Sequence, residues 1–129
     1  NLPFIYIRSA AKKHGLTNQI EGQIDPEAGY VVIEDLVSTG GSSLKAIEAL
    51  QAAGGRVLGA ASVFTYGFPV AKHAFAEAGI PLTSLVDLDI LLAKAVEINY
   101  IRPENLEVVK AWRDDPAKWS KRFTESTTN

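Results

Sequence analysis

The chain has 129 residues, of which 47% are hydrophobic and 22% charged, so it is expected to form one globular domain and not a disordered segment. Thirteen Lys and Arg against fifteen Asp and Glu leave a formal charge of -2, so no overall basic field points to nucleic acid or an anionic membrane as a partner. No apolar run reaches membrane-spanning length, the first residues lack a signal-peptide pattern, and zero cysteines with two histidines exclude disulfides, make a multi-His metal site unexpected and fit a cytoplasmic setting.

Residues 2–7 (LPFIYI) form an apolar, aromatic run that reads as a buried strand. Residues 8–23 turn basic and then polar, and read as a long mobile loop or a loose hairpin, a length that is usually functional or disordered. A turn at residues 25–29 leads into Tyr30-Val31-Val32-Ile33, a continuous apolar run expected of a strand covered on both faces. Glu34 and Asp35 follow, then a Ser/Thr/Gly loop. A helix over residues 42–53 places Leu44, Ile47 and Leu50 on one face, and Gly54-Gly55 stop it.

Residues 56–65 (RVLGAASVFT) are another strand, and Tyr66-Gly67-Phe68-Pro69 a turn. A short helix carrying Val70, Ala74, Phe75 and Ala78 ends at Gly79, and residues 81–86 form a last strand. Residues 88–97 are helical, with Leu88, Leu91, Leu92 and Ala95 inward. Pro103 opens a further helix over 104–113, residues 116–122 add a turn or two, and residues 124–129 are a frayed polar tail behind a domain spanning 1–123. Strands alternating with helices predict an α/β fold, a parallel sheet flanked by helices with right-handed connections. A ligand is expected over the carboxyl ends of its strands.

The chemistry concentrates in residues 31–42, VVIEDLVSTGGS. A strand delivers two adjacent carboxylates, and a loop of hydroxyls and glycines then runs into a helix. The helix start offers unpaired N–H groups and partial positive charge. Gly40 and Gly41 let the backbone approach a ligand, and Ser38, Thr39 and Ser42 add hydroxyl donors, so the loop can hold a phosphate without a lysine. Carboxylates beside a phosphate suit sugar hydroxyls or a divalent cation. Together these features describe a phosphorylated ribose. Neither GxxxxGK[ST] nor GxGxxG is present.

This segment resembles the phosphoribosyl-pyrophosphate (PRPP) motif of the type I phosphoribosyltransferases. Upstream, Arg8, Lys12 and His14-Gly15, followed by Gln19-Ile20-Glu21-Gly22, resemble the catalytic loop of orotate phosphoribosyltransferase. The resemblance covers nearly the whole chain. It implies transfer of the 5-phosphoribosyl group from PRPP to orotate, giving orotidine 5'-monophosphate and pyrophosphate in pyrimidine biosynthesis. Mg²⁺ would be carried by PRPP, with no protein ligand of its own. It further implies that Glu34 and Asp35 bind the ribose hydroxyls and that the loop from Leu36 and Val37 through Ser38, Thr39, Gly40, Gly41 and Ser42 wraps the 5-phosphate. By the same resemblance, Ser38 would also contact orotate. The resemblance likewise implies that Arg8, Lys12 and His14 act on the pyrophosphate and that loop 8–23 reaches the neighbouring site of a cytoplasmic homodimer.

Three positions depart from that pattern. Ser9 stands where the family has a second loop lysine, with Lys13 nearby. Residues 64–68 (FTYGF) hold no Arg to grip orotate. Tyr66 falls there and is expected to stack on or hydrogen-bond the base. The family also has a segment before the equivalent of Leu2, carrying a core strand, a pyrophosphate loop and part of the base site. The chain therefore reads as the C-terminal portion of such an enzyme, with turnover by these residues alone left open. The alternatives are a phosphoribosyltransferase for another nucleobase, a non-catalytic PRPP-binding regulatory module, and an α/β domain using Asp35 as phosphoacceptor. His73 reads as a surface residue, Trp112 and Trp119 as anchors of the last helix, and Asp87 and Asp89 as a helix start.

Overall fold

The computed structural model describes residues 2–8 and 19–119. Its centre is a parallel sheet of β3 (Gly29–Val37), β4 (Arg56–Thr65) and β5 (Leu82–Asp87), in that order. Helix α1 (Gly41–Ala52) links β3 to β4, and α2 (Pro69–Glu77) links β4 to β5. Helix α3 (Leu88–Glu97) follows β5 directly. A 3-10 turn (Pro103–Asn105) then leads into α4 (Leu106–Asp114). Two short strands, β1 (Tyr6–Ile7) and β2 (Ile20–Glu21), pair antiparallel outside this sheet. The α/β class and parallel topology read from the sequence are those found.

The core lies between the sheet and its crossover helices. Val37 and Ala60 from the strands meet Ile47 of α1 and Ala71 and Phe75 of α2, and Ile80 closes the cluster. Close approach of a neighbouring group sets the spacing at two glycines. A Cβ on Gly29 would sit 2.5 Å from Leu58, and one on Gly59 3.1 Å from the Pro81 carbonyl. Asp25 accepts from the Glu27 amide at 2.9 Å, and its own amide donates to the Tyr30 hydroxyl at 2.8 Å, so the turn is pinned to the start of β3.

Two sequence expectations change. Residues 2–7 are not a buried strand: only Tyr6 and Ile7 pair, and Leu2 and Phe4 are 93% and 88% exposed. The apolar run was read as core, yet nothing among the described residues covers it. Nor is β3 covered on both faces. Burial alternates along it, with Val31 and Ile33 exposed. The register aligns Ile33 with Ala61 and Thr83, and places Val63 and Leu85 on the same face. Val63 and Leu85 are also exposed, so among the described residues the helices cover one face only.

Residues 8–23 are not wholly irregular. Their described ends close the β1–β2 ribbon, where the Arg8 amide donates to the Gln19 carbonyl at 2.8 Å and Gln19 Nε2 donates to the Arg8 carbonyl at 2.9 Å. This matches the hairpin reading. Lys12 and His14, like the 124–129 tail, lie outside the described residues.

Candidate functional site

The three strands end level. Val37 aligns with Thr65, and Thr65 with Asp87, so the starts of α1, α2 and α3 share the carboxyl edge of the sheet. Their chemistry differs. The Asp87 carboxylate accepts from the Ile90 amide at 2.9 Å and caps α3, with Asp89 in the first turn. That helix start carries its own anions. Helix α1 has Gly40 as its N-cap, no side chain capping it and no acid in its first turn. Its leading amides and partial positive charge are left for an outside acceptor.

Gly40 has a geometric reason to be glycine. Its φ is +83°, in the left-handed region, and a Cβ there would lie 2.9 Å from the Phe75 ring. Gly40 is buried, whereas Thr39, Gly41 and Ser42 are exposed and Ser38 is half-buried. The loop thus turns its backbone into the protein at Gly40 and presents hydroxyls and helix amides outward.

Glu34 and Asp35 lie three and two residues before the end of β3. Strand alternation parts them: Glu34 is half-buried beside Ser62 in register, and Asp35 shares the parity of exposed Ile33. Asp35 Oδ1 accepts from the Leu36 amide at 2.7 Å. Among the described residues no hydrogen bond or ion pair engages the Glu34 carboxylate. Leu36 is exposed and Val37 buried in the core, so the latter anchors the loop.

Arg8, on the β1–β2 ribbon, is held by Glu21. Its Nε donates to Oε1 at 2.6 Å and a terminal guanidinium nitrogen contacts the same oxygen. Tyr66 stacks on Phe68, with centroids 5.2 Å apart, and meets Phe64 and Trp112 edge-on. Its ring is therefore engaged with its neighbours at the root of α2, next to the loop. His73 faces Glu77 on the exposed side of α2 at 3.4 Å. A groove of about 600 Å³ opens beside the edge, lined among others by Thr65, Gly67, Lys72, Ser84 and Asp87. None of residues 38–42 lines it. Among the described residues no three His, Asp or Glu side chains cluster as a metal site. The hydrogen bond from the Thr65 hydroxyl to the Val37 carbonyl at the root of the loop is not visible in the sequence, because it depends on two strands ending at the same level.

No protein-family model matches the chain. A curated orotate phosphoribosyltransferase of Bacteroides fragilis is 50% identical over 119 residues, 92% of this chain and 56% of the relative. The chain therefore spans little more than half the length of the curated relatives it matches. The crystal structure of orotate phosphoribosyltransferase from Aeropyrum pernix is similar with a TM-score of 0.61 and 34% identity, over 75% of this chain and 52% of that one. The Mycobacterium tuberculosis orotate phosphoribosyltransferase in complex with PRPP matches with a TM-score of 0.52 and 33% identity, over 63% of this chain and 47% of that one.

Proposed function

We propose that the chain belongs to the type I phosphoribosyltransferase family and forms the PRPP-gripping part of an orotate phosphoribosyltransferase, a reading supported by its similarity to curated and solved orotate phosphoribosyltransferases. In this reading, orotate takes the ribosyl carbon of PRPP, pyrophosphate leaves, and orotidine 5'-monophosphate forms for pyrimidine nucleotide synthesis. The observation that carries it is the uncapped, glycine-entered start of α1, directly after the strand bearing Glu34 and Asp35.

The 5-phosphate takes the place of the missing cap. The first amides of α1 and the hydroxyls of Ser38, Thr39 and Ser42 donate to its oxygens, at about 1.5–3 kcal/mol for each hydrogen bond to a charged group. Glu34 and Asp35 accept from the ribose hydroxyls and fix the sugar ring. Breaking the ribosyl C–O bond leaves positive charge on the sugar and negative charge on the leaving pyrophosphate. Arg8 and Lys12 offset that negative charge, and His14 donates a hydrogen bond or a proton to the leaving group. Arg8 reaches this role by exchanging Glu21 for phosphate oxygens.

Ser38 and Tyr66 flank the base. Mg²⁺ would be carried by PRPP with no protein ligand of its own, and when bound would supply charge neutralisation of the diphosphate. A homodimer in which residues 8–23 of each copy serve the neighbouring site, and a cytoplasmic location, belong to the same proposal. No helix among the described residues is long and apolar enough to cross a membrane.

The lack of an Arg in residues 64–68 favours a second reading, transfer to another nucleobase. A chimera decides between them, with this chain replacing the matched 119 residues of the Bacteroides fragilis relative. Supplied with PRPP and Mg²⁺, it is expected to consume orotate and to leave uracil and hypoxanthine unchanged. Preference for either other base would reassign the substrate. PRPP binding without turnover of any base would indicate a regulatory module.

A further inference from the structure

The carboxyl edge of the sheet holds one side chain that ties the two ligand-facing loops together. Thr65, the last residue of β4, donates its hydroxyl proton to the Val37 carbonyl at 3.1 Å and accepts from the Gly67 amide at 3.1 Å. The Tyr66 amide adds a longer bond to the same Val37 carbonyl at 3.3 Å. Val37 is the last residue of β3, and its carbonyl is the root of loop 38–40. Gly67 has a φ of +68°, and a Cβ there would meet nothing within 4 Å. Its glycine therefore serves the backbone bend that turns its amide onto Thr65, and packing does not require it.

The same segment supports the loop from its other end. Gly40, the cap of α1, lies against Phe75 and Ala71 of α2, and α2 starts at the turn that Gly67 shapes. Loop 38–40 is thus braced at its root by Thr65 and at its helix cap by α2.

We propose that Thr65 is a positioning residue for the phosphate-binding loop, setting where residues 38–41 present their amides. The proposal rests on the PRPP-binding reading for its consequence in affinity, and on the geometry alone for its effect on the loop. Thr65 touches no ligand in this account. It acts through the Val37 carbonyl and the Gly67 amide. Serine keeps both hydrogen bonds, whereas valine keeps the shape and the strand preference but loses both.

The test compares wild type, Thr65→Val and Thr65→Ser by two readouts. The first is amide hydrogen exchange of the ligand-free protein. Thr65→Val is expected to speed exchange about tenfold at the bonded amides around the loop, those of Leu44, Tyr66 and Gly67, while amides of the α1 core, such as Ile47 and Leu50, keep their protection, and Thr65→Ser to restore the loop. The second is calorimetric titration with PRPP and Mg²⁺. Thr65→Val is expected to weaken binding about fivefold to tenfold and Thr65→Ser to recover it. Unchanged exchange at the Leu44 amide, which bonds the Gly40 carbonyl, in Thr65→Val overturns the proposal, as does uniform loss of protection through the core, which would make Thr65 merely structural. Loosened loop amides in a protein whose wild type ignores PRPP would uphold the positioning role and refute the PRPP reading instead.

Discussion

At the scale of single residues, the candidate site turns on where a side chain is absent. Gly40 reaches φ +83° and lies so close to Phe75 that a methyl group would collide with the ring. Alanine there faces left-handed strain of roughly 1–2 kcal/mol together with displacement of a buried aromatic. Gly40→Ala is expected to lower the urea midpoint and to weaken PRPP binding by at least tenfold. Gly54→Ala supplies the comparison, because its φ of +89° carries similar strain with nothing within 4 Å. It should cost stability and leave PRPP affinity unchanged. Equal affinity losses in the two variants would mean that backbone strain, and not the cap of α1, governs binding.

The motif itself was legible because its chemistry is local. Acid pair, hydroxyls and glycines follow one another along the chain, and their spacing places them at a strand end and a helix start. The parting of Glu34 from Asp35 follows from strand alternation, although the sequence reading treats the two as one adjacent pair. Thr65 and Phe75 were not legible, since each meets the loop only through sheet register and helix docking.

At the scale of elements, the reading succeeded where periodicity and punctuation agree. β4 occupies Arg56–Thr65 as the apolar run indicated, and α3 occupies Leu88–Glu97 behind its Asp87 cap. It failed at residues 2–7, where apolarity was taken as burial. The last helix begins later than Pro103 indicated, after a 3-10 turn, and among its docking contacts is Trp112, whose ring meets Tyr66 and Phe68 at 5.6 and 5.5 Å.

Arg113 adds a two-pronged contact to Asp89 of α3, at 2.7 Å to each carboxylate oxygen. Its donation to the Asp89 carboxylate raises the Arg113 pKa above its ordinary value. This contribution is fully present below the ordinary arginine pKa and is lost only as pH rises through the raised one, so it persists across the neutral range. Trp112→Ala is expected to cost about 2–3 kcal/mol through lost packing. Arg113→Ala should cost about 1 kcal/mol, since the pair is partly exposed. Urea unfolding at neutral pH checks both, and a larger loss for Arg113 would show that the ion pair, and not the aromatic cluster, holds α4.

At the scale of the whole molecule, the described residues form a sheet with one face covered by helices and the other bearing exposed Val31, Ile33, Val63 and Leu85. The sequence expectation of a strand covered on both faces came from the continuous apolar run of β3. That run is real, but among the described residues nothing covers its second face. The edge proposed to bind phosphate is braced at loop 38–40 by β4 and α2. The edge is therefore expected to bind its ligand in the 129-residue chain itself.

The central claim is that this edge grips PRPP through the start of α1. It is tested most directly by following backbone amide chemical shifts of the isotopically labelled chain as PRPP and Mg²⁺ are added. The account predicts saturable shifts, largest at residues 38–42 and extending to Glu34 and Asp35, while the amides at the capped start of α3 stay in place. Shifts centred elsewhere, or no saturable change at residues 38–42, would contradict it.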